Sequence, residues 1–226
     1  MNLQFLLDGL IAGSMIGLGA IGVTLTYSIL RFSNFAHGDF MAWGTYAALA
    51  VVGAIGGSTP FAPLSFGLPL LAAMAVAMAL TALLALGLDW ALFARLRARG
   101  QPIIVVMASF GASMALRSLL EFTFTSSPTY FSRGIQIATP IGLGIRVTAD
   151  QVALLILTLT LVTGMHLFMQ HSQRGREMRA YSQNPALAKV VGIDVDKVVR
   201  ATWIIGAALA CAAGVMVGVL VQIRPL

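Results

Sequence analysis

Few side chains in this sequence have the types and the spacing that catalysis or metal binding requires. His166 and His171 are five residues apart, about 140° around a helix, so they do not share a face as two metal ligands would. The sequence contains no G-x-x-x-x-G-K-[ST] phosphate-binding loop, and its lysines, Lys189 and Lys197, lie in unrelated contexts. We therefore predict no catalytic residue, no metal site and no bound cofactor, so any nucleotide hydrolysis would require a separate protein.

Ionisable residues within or beside apolar stretches are the next candidates, because charge is costly at membrane depth. Arg117 and Glu121 are four residues apart on one helical face, so we predict that they form a structural ion pair. Asp8 lies near the outer end of the first apolar stretch, where water can reach it. Asp150 directly precedes the fifth apolar stretch and is predicted to be its helix N-cap.

The motif Asn34-Phe-Ala-His-Gly-Asp39 places three polar side chains between the first two apolar stretches, in too few residues for an ordinary loop. One interpretation is a discontinuous membrane helix, in which irregular backbone is tolerated beside a cavity. The other is a tight cytoplasmic turn, in which Asp39 favours the N-terminus of the following helix. Spacing alone leaves the two interpretations equal.

A longer polar and basic segment lies between the fifth and sixth apolar stretches. Asn184 followed by Pro185 predicts a helix start, because the amide can cap free N–H groups and proline suits the first turn. Gly192 suits the left-handed residue that closes a helix. We therefore predict two short helices that meet at an angle and offer another molecule a small apolar surface, formed by Ala186, Leu187, Ala188, Val190 and Val191.

The composition explains which elements hold these motifs. The chain is 58% hydrophobic and only 10% charged, with a mean hydropathy of +0.90, whereas a soluble domain carries about a quarter charged residues. This balance indicates a polytopic membrane protein. The net charge of +6 does not indicate nucleic-acid binding, because the basic residues lie in loops between apolar stretches. Cys211 is the only cysteine, so no intrachain disulfide is possible.

We predict an all-α transmembrane helix bundle with about six spanning segments, because each stretch approaches or exceeds the ~20 residues that a bilayer requires. The segments are Phe5–Leu30, which we interpret as a retained helix and not a signal peptide, His37–Gly56, Leu64–Phe93, Ile103–Thr123, Gln151–Met169 and Ala201–Val221. With the N-terminus outside, the inner side carries Arg31, Arg95, Arg97, Arg99, Arg174, Arg176, Arg179, Lys189, Lys197 and Arg200, and the outer side only Arg133, Arg146 and Arg224. Cytoplasmic loops favour positive charge, so we predict this orientation, with the basic segment in the cytoplasm.

Two rows of small residues predict close helix contacts, which membrane helices use because packing drives their association. The rows are Gly9, Gly13 and Gly17 in the first segment, and Gly206, Ala210, Gly214 and Gly218 in the last. The outer 125–148 segment is rich in Ser, Pro and Gly. A short hairpin is one possibility there, which the sequence does not decide.

Two motifs together resemble one protein family. The stretch Ile29-Leu-Arg-Phe-Ser-Asn-Phe-Ala-His-Gly-Asp39 is similar to the Asn-Phe-Ala-His-Gly signature of permease subunits from branched-chain amino acid ABC importers. The stretches Gly175-Arg-Glu-Met-Arg-Ala180 and Asn184-Pro-Ala-Leu-Ala-Lys-Val-Val-Gly-Ile193 resemble that family's cytoplasmic coupling segment. The resemblance covers essentially the whole chain. The motifs are specific to the family but not to its substrate, since urea and short-chain amide permeases share them.

The resemblance implies a subunit of the bacterial inner membrane that pairs with a second, related permease. Two cytoplasmic ATPase subunits would bind ATP and Mg²⁺ beneath it, and a periplasmic binding protein would deliver the ligand. The predicted coupling residues are Gly175, Arg179, Ala180, Asn184, Pro185, Leu187, Ala188, Val190, Gly192 and Ile193. The predicted translocation path includes Asn34, Phe35, His37, Gly38 and Asp39.

We treat residues 1–226 as one transmembrane permease domain with its coupling segment at about 171–200. Members of the family continue past the equivalent of Leu226 with further spanning helices, so we expect this chain to be short at its C-terminus. Branched-chain amino acids are the default substrates, and urea or a short-chain amide is the alternative. A stand-alone channel or secondary transporter, and a non-transporting remnant, are further alternatives.

Overall fold

The computed structural model describes residues 3–55, 64–98, 100–124, 129–131, 139–142, 145–221 and 223. The helices in these ranges are α1 (Leu3–Leu30), α2 (His37–Ala54), α3 (Leu68–Leu88), α4 (Ala94–Arg97), α5 (Pro102–Phe124), α6 (Ala149–His171), α7 (Gln173–Gln183), α8 (Pro185–Val190) and α9 (Val195–Leu220). A π-helical turn, Asp89–Phe93, joins α3 to α4. Strands β1 (Thr139–Gly142) and β2 (Ile145–Val147) form an antiparallel hairpin within the 125–148 segment, most of which lies outside the described residues.

Five helical spans in the described residues are long and apolar enough to cross a membrane: Leu3–Leu30, Leu68–Arg97, Pro102–Phe124, Ala149–His171 and Val195–Leu220. The prediction of an all-α polytopic bundle is confirmed. The remaining predicted segment corresponds to α2, which has 18 residues, begins with a polar His-Gly-Asp sequence and is not among these five. A sixth span and the orientation of the bundle stay predictions.

Helix α9 is the centre of the bundle and packs against α1, α2 and α3. The predicted row of small residues on α9 is confirmed, because these residues let neighbouring helices approach closely. A Cβ atom on Gly206 would lie 2.9 Å from Thr26 Cγ2, and one on Gly214 would lie 2.7 Å from Thr45 Oγ1. Ala210 is fully buried.

The predicted interface along Gly9, Gly13 and Gly17 is wrong within the described residues, where a Cβ atom added to any of the three would meet nothing within 4 Å. Helix α1 instead packs through Gly22, where a Cβ atom would lie 3.1 Å from the Gly206 carbonyl oxygen of α9. Gly22 lies nine residues after Gly13, about 180° around the helix. The row and the contact therefore lie on opposite faces.

Asp150 is not the N-cap of α6, contrary to the prediction. Thr148 caps the helix by accepting a hydrogen bond from the Gln151 backbone, and the Gln151 side chain accepts from the Thr148 N–H. This reciprocal pair is a capping box, which uses Thr and Gln three residues apart. Asp150 is buried and instead accepts hydrogen bonds from Ser65, including one from the backbone N–H at 2.8 Å. It therefore joins the segment before α3 to the start of α6.

Candidate functional site

The first part of the site is the bend between α6 and α7. The Ser172 hydroxyl oxygen caps α7 by accepting a hydrogen bond from the Gly175 N–H at 2.8 Å. Gly175 is buried against the end of α6, and a Cβ atom there would lie 2.5 Å from the Phe168 carbonyl oxygen and 2.6 Å from Met169 Cα. Only glycine fits this approach without displacing backbone. Gly175 therefore sets the position of α7. This residue faces the bundle and not the solvent.

Helix α7 is fixed to the bundle by one buried side chain and one polar contact. Met178 is fully buried in a cluster with Leu25 and Ile29 of α1 and Val198 of α9. The Arg31 guanidinium donates a hydrogen bond to the Ser182 carbonyl oxygen at 3.0 Å. The basic segment is consequently held against the ends of two spanning helices.

Helix α8 begins and ends as the sequence predicts. The Asn184 side-chain oxygen accepts a hydrogen bond from the Leu187 N–H at 3.0 Å, and Pro185 is the first helical residue. At the other end Gly192 has φ +89°, in the left-handed region. Its N–H donates to the Lys189 carbonyl at 3.1 Å, while the Ile193 N–H donates to the Ala188 carbonyl at 3.0 Å. These two bonds form a Schellman motif, which requires a left-handed residue at this position.

The outer surface of α8 presents three apolar side chains, which we name the apolar tip. Leu187 is 57% exposed, Val190 84% and Val191 72%. Ala188 is buried beneath them, so this predicted residue supports α8 and does not contribute to its surface. The same end of the molecule exposes basic side chains and one alanine, namely Arg174, Arg176, Arg179 and Ala180. The apolar tip is therefore an exposed apolar surface that follows an exposed basic helix in the chain.

The start of α9 continues this polar end. The Asp194 carboxylate caps α9 by accepting from the Lys197 N–H at 3.2 Å, and it pairs with the Lys197 ammonium at 2.9 Å. The hydrogen bond from Lys197 lowers the pKa of the exposed Asp194 carboxyl below its usual value. Because the cap and the pair are local, they fix where α9 begins and therefore where α8 must turn.

The second part of the site is the segment between α1 and α2, residues 31–36, which we name the helix break. The buried His37 ring Nε2 donates a hydrogen bond to the Gly19 carbonyl oxygen at 3.2 Å. Gly19 lies eleven residues before the end of α1 at Leu30, about 16 Å along the helix axis. The chain therefore leaves α1, turns at Arg31, where φ is 58°, and returns into the bundle before α2 begins.

Contacts with α5 also place the helix break within the bundle and not beyond its end. The Phe35 N–H donates to Ser109 Oγ at 3.2 Å, and the Phe35 ring packs edge-on against Phe110 with centroids 6.1 Å apart. Ser109 is the eighth residue of α5 and lies inside a candidate span. Asn34 is buried, and its side-chain oxygen accepts from the Ala36 N–H at 3.2 Å. The interpretation as a discontinuous helix is therefore favoured over a turn outside the bundle.

An aromatic cluster anchors the start of the helix break. Phe32 lies 5.6 Å from Phe93 and 6.4 Å from Trp203, measured between ring centroids. Phe93 and Trp203 are stacked at 5.3 Å, and all three side chains are buried. Phe93 ends the π-helical turn, a local widening that is frequent at functional sites.

A cavity of about 380 Å³ opens between α2 and α5, beside the helix break. Asp39 of α2 faces it from one side, and Ser113 and Arg117 of α5 face it from the other. The complete lining is Phe35, Gly38, Asp39, Ala42, Trp43, Ser113, Leu116, Arg117 and Leu120. We name it the α2–α5 cavity.

The structure divides the predicted translocation residues into two sets. Phe35, Gly38 and Asp39 line the α2–α5 cavity, whereas Asn34 and His37 are buried in helix packing beside it. The predicted ion pair between Arg117 and Glu121 is wrong: no salt bridge joins them in the described part of the chain. The reason is that Arg117 turns towards the cavity.

Sequence reasoning missed the α5 side of this cavity. Trp43 and Ser113 had drawn no functional interpretation, although the position of Arg117 at membrane depth was a usable signal. The indole N–H of Trp43 donates to the Leu116 carbonyl oxygen at 3.0 Å, which ties α2 to α5 along the cavity wall. Within the described residues, no group of three or more His, Cys, Asp or Glu side chains is arranged to hold a metal ion.

The comparison with protein families decides what kind of protein carries these features. A family model described as "Branched-chain amino acid transport system / permease component" matches residues 5–226. The chain belongs to this permease family. With five helices able to span a membrane, this family member is a multi-pass membrane protein and a transport component.

Curated relatives agree along almost the whole chain. The "High-affinity branched-chain amino acid transport system permease protein BraD" of Pseudomonas aeruginosa is 29% identical over 223 aligned positions, which cover 96% of this chain and 70% of the relative. The protein LivH of Escherichia coli, described in the same words, is 27% identical over 221 residues, with the same coverage. A "Probable branched-chain amino acid transport permease protein LivH" of Methanocaldococcus jannaschii is 25% identical over 231 aligned positions, which cover 98% of this chain and 68% of the relative. No solved structure gives a significant match.

Proposed function

We propose that this permease is the membrane-spanning subunit of an ATP-driven importer of the bacterial inner membrane. Its cargo is a branched-chain or related amino acid that a periplasmic binding protein delivers. The substrate class rests on relatives named for branched-chain amino acid transport. The remaining partners are a second, related permease and two cytoplasmic ATPase subunits, which bind ATP and Mg²⁺.

The observation that carries the proposal is the apolar tip of α8. Leu187 and Val190 stand exposed on a helix whose two ends are fixed by an Asn184 cap and a Gly192 turn. A rigid helix that exposes apolar side chains within a polar surface is suited to insertion into a hydrophobic groove of a partner. The ATPase supplies this groove.

Contacts in the structure provide a route from the apolar tip to the membrane. Helix α7 follows α8 because Asn184 is at once the C-cap of α7 and the N-cap of α8. Met178 transmits a shift of α7 to α1 and α9, and the Arg31–Ser182 hydrogen bond transmits it to the helix break. Closure of the ATPases on ATP would thereby move the wall of the α2–α5 cavity. This is an alternating-access mechanism.

The test is the substitution Leu187→Asp or Val190→Asp in the complete importer. Each places a charge where an apolar contact is expected, so substrate-stimulated ATPase activity and uptake should fall about tenfold or more. Assembly of the permease in the membrane should persist, because both side chains are already exposed in this chain.

Val221→Asp is the matched control. Val221 is 59% exposed and lies at the opposite end of α9, so the same chemical change there should leave ATPase stimulation near the wild-type level. Wild-type activity in both α8 variants would refute the coupling role of the apolar tip.

A further inference from the structure

We propose that the α2–α5 cavity binds the zwitterionic backbone of a free amino acid, with Asp39 facing its α-ammonium group and Arg117 its α-carboxylate. The inference rests on the proposed function, since it assumes that amino acids cross the membrane through this permease. It goes further by assigning a site within this chain and by naming the groups that recognise the ligand.

The depth of the charges is the first argument. Ser113, which lines the cavity beside Asp39, is the twelfth of the 23 residues of α5, so the cavity lies near the middle of this span. Ionisable side chains at such depth are costly and mark substrate pathways when they face a cavity. The charged side chains at the α2–α5 cavity therefore indicate a substrate pathway.

The separation of the charges is the second argument. Asp39 and Arg117 line the same cavity but form no direct salt bridge in the part of the chain that the structure describes. Glu121, the acidic residue of α5, does not line the cavity. One carboxylate and one guanidinium thus face a shared space without neutralising each other by contact. A ligand that carries both charges can satisfy the two groups together.

The rest of the lining suits an aliphatic side chain. Leu116, Leu120 and Trp43 supply apolar surface, and the Trp43 indole is held in place by its hydrogen bond to the Leu116 carbonyl. The cavity volume of about 380 Å³ falls within the range of roughly 300–1,000 Å³ that small-molecule sites occupy. A branched aliphatic amino acid therefore matches both the polar and the apolar parts of the site.

The same chemistry disfavours urea and neutral amides. These molecules would leave both charged side chains without a counter-charge, and a binding site rejects ligands that leave its polar groups unpaired. The α2–α5 cavity thus separates amino acids from the other substrates that the family's motifs allow.

The experiment measures ligand binding to the purified full chain in lipid nanodiscs by saturation-transfer-difference NMR, without partners or nucleotide. The probes are L-leucine, 4-methylpentanoate, which lacks the ammonium group, 3-methylbutylamine, which lacks the carboxylate, and urea. L-leucine should bind, and the three other probes should bind roughly ten- to a hundredfold more weakly, because each lacks one or both charged contacts.

Two variants that each remove one charge assign the charged contacts. Asp39→Asn should weaken L-leucine binding by roughly ten- to a hundredfold and leave 4-methylpentanoate binding unchanged. Arg117→Gln should weaken L-leucine equally and leave 3-methylbutylamine binding unchanged. Glu121→Gln, four residues along α5 and outside the lining, should bind L-leucine as the wild type does.

The inference is overturned if the wild-type chain does not bind L-leucine or if urea binds as well as L-leucine. It is also overturned if neither variant changes the relative affinities of the probes. The comparison of probes on the unaltered chain guards against a variant that fails to fold. If Val190→Asp lowers ATPase stimulation but Arg117→Gln binds L-leucine as the wild type does, the binding site is refuted and the proposed function is retained. If Val190→Asp keeps normal ATPase stimulation but the wild-type chain binds L-leucine through both charges, the coupling role is refuted and the binding site is retained.

Discussion

The Arg31 guanidinium donates a hydrogen bond to the Ser182 carbonyl oxygen at 3.0 Å, across 151 positions of sequence. Arg31 is the first residue of the helix break, and Ser182 lies in the last turn of α7. The bond therefore joins the end of α7 directly to the start of the helix break. It is placed to carry a movement of α7 into the membrane.

We predict that Arg31→Ala uncouples transport from ATP hydrolysis. Loss of the guanidinium should lower the amount of substrate transported per ATP by roughly fivefold, while basal ATPase activity persists, since coupling free energies between sites are about 1–3 kcal/mol. Uptake and phosphate release measured on the same proteoliposomes give the ratio.

Two further substitutions separate the side chain from the backbone at this position. Arg31 has φ 58°, a conformation that glycine adopts without strain. Arg31→Gly should uncouple as alanine does, because it also removes the donor, whereas Arg31→Lys should restore part of the ratio. Normal coupling in Arg31→Gly would show that the hydrogen bond does not transmit the movement.

Gly175→Ala should displace α7 from the end of α6. The added Cβ atom would lie 2.5 Å from the Phe168 carbonyl oxygen, and backbone cannot yield as a flexible side chain can. Overpacking of this kind costs about 1–3 kcal/mol, so we expect a lower thermal unfolding midpoint in detergent and weaker ATPase docking. Gly164→Ala, within α6, is the control and should be neutral or slightly stabilising, because a Cβ atom there meets nothing within 4 Å among the described residues. Equal midpoints for the two variants would contradict the close approach.

The two parts of the site were predictable from sequence to different degrees. The start of α8 at Asn184 and its end at Gly192 follow from neighbouring residues alone, so local chemistry was sufficient. The roles of Gly175 and Arg117 depend on contacts with residues remote in sequence or on another helix. Arg117 has an acidic neighbour four residues away, yet it faces Asp39 from α5, and a helical spacing rule cannot anticipate a competing partner on α2.

The same limit applies to the packing of the bundle. The prediction was correct for the small residues of α9 because this helix is central and has neighbouring helices on several sides. On α1 the conspicuous row at Gly9 and Gly13 faces away from the described part of the bundle. Gly22, which belongs to no such row, makes the close contact with α9. Spacing identifies a face that permits close approach, but only the arrangement of the other helices determines whether that face is used.

Gly192→Ala should loosen the end of α8 and disorder the apolar tip. Gly192 has φ +89°, and a residue with a Cβ atom pays about 1–2 kcal/mol in this region. We expect faster amide hydrogen exchange at position 192 and at Ile193, whose N–H groups close the turn, and reduced ATPase stimulation. Gly100→Ala introduces the same penalty at φ +72° in the turn before α5, and it should leave exchange in α8 unchanged. Unaltered exchange at Ile193 in Gly192→Ala would rule out the turn as the element that holds the tip.

Asp150→Ala should destabilise the junction between α3 and α6. The buried carboxylate accepts hydrogen bonds from both the backbone N–H and the hydroxyl of Ser65, and its removal leaves these donors without their partner. A fully buried unsatisfied donor costs about 1–3 kcal/mol; Ser65 is half-buried, so we expect a loss near the low end and a lower thermal unfolding midpoint in detergent. Asp150→Asn keeps one acceptor oxygen and should lose less. Asp8→Ala is the control, because Asp8 has a hydrogen bond only to the Gln4 side chain in the described residues and lies in the first turns of α1. If Asp150→Ala and Asp8→Ala melt together at the wild-type midpoint, the bonds to Ser65 do not hold this junction.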